Sequence, residues 1–426
     1  MKKRCIKALC ICLALMVLLA TTAFAGSAAE DQKLRFGADG KFTILQIADT
    51  QDILFPRPAM VTFIERALDT VQPDLVIFTG DNSEDVSFVT GTANITLEWI
   101  LRPTAERGIP FTFVFGNHDA FLPAGKDWLF GIYQSYPNCL ASDPAPETYG
   151  TGNHNLPIYA STGDDVTFNL WMLDSNAYAF DVQSILGAWN GLGAAGDFDL
   201  SNLAVTVLNM FDVPYDYVHE VQLAWFTKTN DALTARVGHK VPSLVFQHII
   251  VPEVTELLLP ATEEDTRINT YYGKDYALAL DPAKATGVLG EFPSPPTHNG
   301  GEFDVLKASG SVLGIVTGHD HVNNFIGTVD GIDLIQTGGI SLTSYGSDDV
   351  RGVRVITLDE TNPEAYETYN ILYTDVFGES EEDAAYYAYS KNPASAFATL
   401  IAWVAKLFGF NPFEVMDTLA RRFMAL

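Results

Sequence analysis

Residues 41–82, KFTILQIADTQDILFPRPAMVTFIERALDTVQPDLVIFTGDN, carry the pattern of a strand, a helix and a second strand. The first nine and the last nine residues are rich in β-branched and aromatic side chains, which is typical of buried strands. Between them, four apolar side chains recur at helical spacing and would share one face of a helix: Val61, Ile64, Leu68 and Val71. This unit predicts two parallel strands joined by a covering helix.

The same alternation continues along the chain. TLEWILRPTAERG (96–108) predicts a helix that Pro103 would bend or break, and IPFTFVFGNHD (109–119) predicts a third strand. Five further strand-like runs are separated by helical segments, at 166–176, 241–250, 312–321, 332–339 and 352–360. The last of these follow one another closely, so this half should contain antiparallel pairs. The pattern predicts an α/β fold with both kinds of strand pairing.

The first 25 of the 426 residues have the features of an export signal. A basic head precedes an apolar core, and Ala23-Phe24-Ala25 is a small-x-small cleavage site. Three of the four cysteines lie in this segment, so the mature chain would keep Cys139 and form no internal disulfide. We therefore expect a secreted or extracytoplasmic protein, with residues 26–40 as a linker to a catalytic-type domain at 41–375.

The charge of the chain is strongly acidic. Lys and Arg number 25 against 53 Asp and Glu, which gives a formal net charge of −28. Such a surface repels polyanions, so nucleic acid is not expected as a partner. The charge does not select among small anionic substrates.

The C-terminal part, residues 376–426, is predicted to be an acidic linker followed by two helices. Apolar side chains recur at helical spacing in the first helix: Phe397, Leu400, Ile401, Val404 and Phe408. The second helix should start at Asn411, with Pro412 in its first turn. Two interpretations stay open, a helical hairpin packed on its own domain or a weak contact with a membrane surface or a partner.

The glycine-rich residues 181–216 are predicted to form an insertion or a long loop. Within them, GLGAAG (191–196) matches the dinucleotide-binding fingerprint by its letters. No clear strand precedes it and no apolar helix follows it, so we predict a glycine loop without a cofactor.

Polar side chains that suggest chemistry lie just past the ends of predicted strands. They are Asp49, Gln51, Asp81, Asn117, His118, Asp119, His248, His319 and His321. Ligands in α/β folds bind beyond the carboxyl ends of strands, so parallel strands would bring these groups together. Alternation along an extended GHDH segment would send both of its histidines to the same side. Carboxylate, amide and imidazole donors without a thiolate favour a site for Mn, Fe or Zn.

In chain order the motifs are Asp49-x-Gln51, Gly80-Asp81, Gly116-Asn117-His118-Asp119, the lone His248 and Gly318-His319-Asp320-His321. The set resembles the calcineurin-like metallophosphoesterase superfamily, whose pattern runs D-x-H, G-D, G-N-H-[DE], a lone histidine and G-H-x-H. Smaller features such as QLAWF and GTGNHNLPI look most like the branch related to purple acid phosphatases and Dcr2-type phosphatases. The resemblance implies a mixed two-sheet β-sandwich flanked by helices.

The resemblance also implies a role for each residue of the set. Asp81 would bridge two metal ions, His118 would face the substrate and Asp119 would orient His118. The first ion would be held by Asp49, Gln51 and His321, and the second by Asn117, His248 and His319. The implied activity is hydrolysis of small phosphate monoesters by a bridging hydroxide, with two divalent or trivalent ions of Mn, Fe or Zn.

Two positions depart from the family pattern. Gln51 stands where most of the superfamily has histidine, and a neutral amide oxygen is a weaker ligand than imidazole. Glu84 stands where purple enzymes have a tyrosine ligand, so no purple colour is expected. Two alternatives stay open, a phosphodiesterase of the same fold and a metal-binding envelope protein without catalytic activity.

Overall fold

The protein is described from a computed structural model, which covers residues 33–52, 54–84, 92–119, 123–179, 214–261, 269–271, 274–276 and 278–424. The predicted export signal lies outside these ranges. So do residues 26–32 of the predicted linker and residues 180–213, which contain most of the predicted insertion.

Two sheets form the centre of the fold. The five-stranded sheet consists, in spatial order, of β17 (Tyr366–Leu372), β16 (Gly352–Asp359), β2 (Lys41–Ile47), β3 (Leu75–Thr79) and β4 (Phe111–Val114). The eight-stranded sheet consists of β1 (Leu34–Arg35), β5 (His154–Tyr159), β6 (Val166–Met172), β7 (Ser243–Phe246), β13 (Val312–Thr317), β15 (Ile332–Gln336), β14 (Asn324–Val329) and β12 (Ala285–Val288). Two short pairs lie outside them, β8 (Leu258–Pro260) with β11 (Leu278–Leu280) and β9 (Asn269–Tyr271) with β10 (Lys274–Tyr276).

Both sheets are mixed, as predicted. Strands β2, β3 and β4 pair in parallel, and so do β6, β7, β13 and β15. Antiparallel partners complete each sheet, with β16 between β2 and β17, and β14 between β15 and β12. The parallel strands therefore end in the same direction within each sheet, which places their following loops along one edge.

Alternate side chains of the central strands face opposite layers of the fold, the other sheet on one side and the helices on the other. In β2, Phe42 and Ile44 face the other sheet, whereas Leu45 and Ile47 face the helices. Burying both faces requires apolar residues at successive positions, which is the continuous apolar run seen in the sequence. Gln46 is an exception, because its amide bonds Thr79 and the carbonyl of residue 317 across the two sheets.

Helices cover the outer face of each sheet. They are α1 (Pro58–Val71), α2 (Ala93–Glu106), α3 (Pro123–Gln134), α4 (Glu220–Val237), α5 (Glu302–Ser309), α6 (Tyr373–Phe377), α7 (Glu381–Ser390), α8 (Ala396–Lys406) and α9 (Pro412–Met424). Two 3₁₀ turns lie at Pro252–Leu257 and Pro393–Ser395. Helices α4 and α5 pack on the eight-stranded sheet, and α1, α2, α3, α6 and α7 pack on the five-stranded sheet. The predicted two-sheet α/β sandwich is confirmed.

Of the two outcomes predicted for Pro103, a bend or a break in its helix, the break is wrong. Helix α2 continues through this position to Glu106, and Pro103 is buried. Proline removes one backbone hydrogen bond in the last turn, and packing of the apolar ring against the neighbouring elements offsets that loss.

The C-terminal helices pack against α1 and the loop that precedes it. Thr399 of α8 donates to the carbonyl of Pro56, and the Arg57 side chain donates to the carbonyl of Pro393. Helix α9 starts at Pro412, one residue after the predicted start at Asn411, and the Asn411 side chain caps the N–H of Phe413. Within the described ranges, no helix has the length and apolar character needed to cross a membrane.

The apolar face predicted for α8 differs from the buried face. Phe397 is 56% exposed and Phe408 is 76% exposed. The buried side chains are Ala398, Thr399, Ala402 and Trp403. Small residues let α8 approach α1 closely, and Trp403 supplies the apolar area by packing against Phe55. Side-chain size at the contact, rather than hydrophobicity alone, decides which face is buried.

Candidate metal centre

The candidate residues meet where the carboxyl edges of the two sheets come together. Asp49, Asp81 and Asn117 follow strands β2, β3 and β4 of the five-stranded sheet, whereas His248 and His319 follow β7 and β13 of the eight-stranded sheet. A hydrogen bond from the His319 N–H to the Asp49 carboxylate (3.0 Å) connects the two halves. Both sheets thus contribute residues to the site, whereas the prediction from strand ends assumed a single sheet.

One cluster of lone pairs surrounds His248. Its Nδ1 donates to the carbonyl of Thr79 (2.8 Å), which directs Nε2 into the site. Asp81 Oδ2 and Asn117 Oδ1 each lie 3.1 Å from that Nε2. Two acceptor oxygens directed at one nitrogen require positive charge between them, either a proton on the imidazole or a metal ion.

His319 completes this cluster. One ligand atom each from Asp81, His248 and His319 lies within 4.8 Å of the other two. His319 Nε2 is buried and has no hydrogen-bond partner among the described residues. A buried nitrogen of this kind is costly unless something binds it, so this arrangement fits a cation.

The other cluster shares Asp81 and contains Asp49 and His321, and ligand atoms of these three residues also lie within 4.8 Å of one another. His321 donates through Nδ1 to the carbonyl of Tyr345 (3.0 Å), and its Nε2 lies 3.6 Å from Asp49 Oδ1. Gln51 is 3% exposed, and its Oε1 is buried without a hydrogen-bond partner within the described part of the chain. The structure therefore brings five predicted ligand residues into two groups that share Asp81, with Asn117 beside His248. Gln51 is joined to Asp81 through its backbone N–H, which donates to the Asp81 carbonyl (2.8 Å).

The backbone at this site is strained. Asp49, Gln51, Asp81 and His319 have φ values of 50°, 30°, 49° and 77°, in the left-handed region. Each such residue costs roughly 1–3 kcal/mol and persists only where the surroundings enforce it. The turns after the strands thus hold polar side chains in directions that relaxed loops would not give.

Close packing explains two of the glycines in the motifs. A Cβ on Gly116 would lie 2.1 Å from Asp81 Oδ1, and a Cβ on Gly318 would lie 2.5 Å from Asp49 Oδ2. Any side chain at either position would displace a candidate ligand, because such distances are far below van der Waals contact. These glycines are required by the carboxylates that approach them.

Burial and neighbouring charges shift the pKa values of the side chains in these clusters. Burial raises the pKa of Asp49 to about 8. Burial opposes ionisation of Asp81 as well, but His248 and His118 outweigh it and lower the pKa of Asp81. For His248, burial disfavours the charged ring, yet Asp81 and Asp49 raise its pKa to about 9. The buried carboxylates therefore attract positive charge to this point.

His118 and Asp119 occupy different surroundings. His118 is the one residue of the nine that is not fully buried, and its backbone N–H donates to Asp81 Oδ1 (2.7 Å). The Asp119 carboxylate accepts hydrogen bonds from the N–H groups of Asn82, Ser83 and Gly116 (2.8–3.1 Å). Asp119 thus joins the loop after β3 to the loop after β4, and its predicted role in orienting His118 stays a prediction.

Three tyrosines beside the two clusters were not predicted from the sequence. Tyr178 accepts a hydrogen bond from Asn117 Nδ2 (2.9 Å), Tyr215 meets the His319 ring edge to face (4.6 Å), and Tyr345 stacks on His321 (4.3 Å). Tyr178 follows the end of β6, so the strand-end rule could have found it. Tyr215 lies at the end of the predicted insertion and Tyr345 in a loop, where the pattern gave no signal.

Comparison with known proteins gives this arrangement a family. The family model described as Calcineurin-like phosphoesterase matches residues 42–323, which include all nine candidate residues. The chain belongs to the calcineurin-like phosphoesterase family. The family expected from the sequence motifs is confirmed.

Several curated relatives of this calcineurin-like phosphoesterase are plant proteins. Probable inactive purple acid phosphatase 14 of Arabidopsis thaliana is 28% identical over 360 residues, covering 76% of this chain and 77% of that protein. Probable inactive purple acid phosphatase 29 of the same plant is 28% identical and covers 78% of this chain and 80% of its own length. Phosphatase DCR2 of Saccharomyces cerevisiae is 25% identical over 69% of this chain and 46% of that protein.

Among solved structures, a dimetal phosphatase from Danio rerio aligns with a TM-score of 0.44 and 16% identity. The alignment covers 78% of this phosphoesterase and 99% of the Danio rerio chain.

We predict that Gln51 limits the affinity of the first metal site. Gln51→His should tighten binding of the ion by about tenfold, because imidazole is a better donor than an amide to Mn, Fe or Zn. Gln51→Leu should weaken it, since no donor atom remains. Calorimetric titration with Mn²⁺ and Zn²⁺ measures the series, and equal affinities for the histidine and leucine variants would contradict the prediction.

Proposed function

We propose that this calcineurin-like phosphoesterase hydrolyses small phosphate monoesters outside the cytoplasm. Asp81 would be shared by two ions, Asp49, Gln51 and His321 would complete one site, and Asn117, His248 and His319 the other. The ions would activate a water molecule and neutralise charge on the transferring phosphoryl group. Their identity is proposed from the donor set as Mn, Fe or Zn.

One observation carries the proposal. Asp81 lies in both buried clusters, and each cluster contains an imidazole, His248 or His321, whose Nδ1 donates to a backbone carbonyl. In addition, His319 Nε2 is buried and has no hydrogen-bond partner among the described residues. A merely structural cluster would satisfy its polar atoms internally. Here the acceptors face each other, as expected of a pair of cation sites that share one carboxylate.

The residues around the clusters supply the remaining functions. His118 is partly exposed beside Asp81, so its imidazole can reach a substrate phosphate and either stabilise its charge or protonate the leaving oxygen. Asp119 holds the two loops that carry Asp81 and His118 at a fixed separation through its three backbone hydrogen bonds. A half-buried histidine beside ligands supports catalysis over simple metal storage.

Two alternatives follow from specific observations. A phosphodiesterase would have the same metal residues, and the width of the mouth decides between the two kinds of ester. A non-catalytic metal-binding protein is favoured by Gln51 at a histidine position and by relatives whose names call them probable inactive phosphatases. The retained His118 supports the enzyme over this second alternative.

The experiment uses the chain from residue 26 onward. We expect about two metal ions per chain after reconstitution, together with hydrolysis of p-nitrophenyl phosphate faster than that of bis(p-nitrophenyl) phosphate. Asp231→Asn, at an exposed position of α4, is the control and should match the wild type. Faster turnover of the bis ester would indicate the phosphodiesterase, and bound metal with no turnover of either ester would indicate the non-catalytic protein.

Export is a separate part of the proposal. It is supported by the basic head, the apolar core and the Ala23-Phe24-Ala25 site at the start of the sequence. Amino-terminal sequencing of the protein from a medium or periplasmic fraction should begin at Gly26. A mature protein that retains Met1 in the cytoplasm would refute export while leaving the metal site untouched.

A further inference from the structure

Two tyrosines form a clip beside the cluster that surrounds His248. Residues 177–179 and 214–216 pair through two backbone hydrogen bonds, from Ala179 N to Pro214 O (2.9 Å) and from Asp216 N to Ala177 O (3.1 Å). Tyr178 and Tyr215 lie opposite each other in this antiparallel bridge, and their rings stack at 5.6 Å and 27°. We call this pair the tyrosine clip.

The clip contacts two of the candidate ligands of the second ion. The Tyr178 hydroxyl accepts the hydrogen bond of Asn117 Nδ2 (2.9 Å). The ring of Tyr215 meets the ring of His319 at 89° with centroids 4.6 Å apart. Because the bridge fixes both tyrosines to each other, it restrains the amide and the imidazole together.

The orientation of the Asn117 amide matters for a metal site. Only the oxygen end can bind a cation, because the NH₂ end carries hydrogens directed outward. Asn117 Oδ1 lies 3.1 Å from His248 Nε2, while Nδ2 donates to the Tyr178 hydroxyl. A half-turn of the amide would place hydrogens where an ion must bind, and the Tyr178 hydroxyl stabilises the productive orientation.

We propose that Tyr178 and Tyr215 are positioning residues that set the affinity of the second metal site by orienting Asn117 and His319. This inference rests on the proposed two-metal function. Partners of this kind typically change metal affinity by about 10- to 100-fold. The effect should be confined to the ion held by Asn117, His248 and His319.

The main test is a calorimetric titration of Tyr178→Phe with Mn²⁺ and with Zn²⁺. We expect one of the two binding events to weaken by about 10-fold or more, with the other unchanged. Tyr366→Phe removes a hydroxyl that donates to Asp333 in a different part of the fold, and it should bind both ions as the wild type does. Equal weakening in the two variants, or no change in Tyr178→Phe, would overturn the proposal.

A double-mutant cycle isolates the amide orientation. Asn117→Asp replaces the amide with a carboxylate, both ends of which can bind a cation. In that background the loss of the Tyr178 hydroxyl should change affinity by less than about threefold. A loss of about 10-fold that persists in the Asn117→Asp background would show that Tyr178 acts in some other way.

The role of the Tyr215 ring is tested by comparing a substitution that keeps the ring with one that removes it. Tyr215→Phe keeps the ring against His319 and should bind both ions normally, whereas Tyr215→Leu should weaken the second site. Thermal unfolding without metal checks that each variant folds. These are binding measurements, so a wild type that binds two ions but hydrolyses no ester would refute the proposed function and leave the clip standing. A wild type that binds no ion would overturn both.

Discussion

Asp81→Asn is expected to lower ester hydrolysis by about 10³-fold or more, equivalent to about 4 kcal/mol of lost transition-state stabilisation. Asp81 belongs to both clusters, so its replacement would remove a negative charge from both candidate cation sites at once. Asparagine keeps an oxygen that can accept the His118 N–H, so the loop after β4 should stay in place. Steady-state kinetics with p-nitrophenyl phosphate and metal analysis of the dialysed protein measure the two effects.

The metal content decides how an Asp81→Asn loss is interpreted. We expect the number of ions per chain to fall from about two to one or fewer, because the shared carboxylate contributes to both sites. The exposed Asp231→Asn variant should keep both ions and full activity. Two tightly bound ions with normal turnover in Asp81→Asn would refute the shared-ligand assignment.

His118→Ala is expected to lower kcat by about 10²- to 10⁴-fold, the range typical of a lost general acid or charge-stabilising group. Metal content should not change, because His118 is not among the seven predicted ligands. If His118 protonates the leaving oxygen, the loss should be larger for phenyl phosphate than for p-nitrophenyl phosphate, since phenolate is the poorer leaving group. Kinetics with both esters distinguish protonation from charge stabilisation.

The exposed His298 provides the matched control for this variant. His298→Ala also removes one imidazole and should leave both rates unchanged, because this residue contacts Tyr217 and no candidate ligand among the described residues. A His118→Ala protein that loses its ions together with its activity would assign His118 to the metal site. Unchanged kinetics in His118→Ala would remove it from the mechanism.

Much of the fold could be predicted because it depends on local pattern. The strands at 41–47, 75–79 and 111–114 lie within the predicted runs, since a strand buried on both faces must be apolar over several successive residues. Strands β5 and β14 were not predicted, because β5 contains Pro157 and β14 contains Gly327. Pro157 is tolerated because β1 pairs with only Ile158 and Tyr159 on that side of β5.

The contacts of the C-terminal helices could not be predicted in the same way. A helical apolar pattern was visible in residues 397–408, but its two phenylalanines, Phe397 and Phe408, are exposed to solvent. Helix α8 packs on α1 and the Phe55 loop through Ala398 and Ala402, which allow close approach, and through Trp403, whose ring contacts Phe55. Which face is buried depends on the shape of the partner surface, which the segment itself does not encode.

The sequence by itself determined the chemical identity of the candidate site and the family of the chain. Each polar residue follows a strand end, and strand ends are visible as local changes in pattern. Only the tertiary structure decided how these residues combine, because the deciding contacts join distant parts of the chain. His319 bonds Asp49 across 270 positions, and backbone carbonyls of residues 79 and 345 fix the imidazoles of His248 and His321. Lone-pair directions follow from these contacts, and they divide the candidate ligands into two groups that share Asp81.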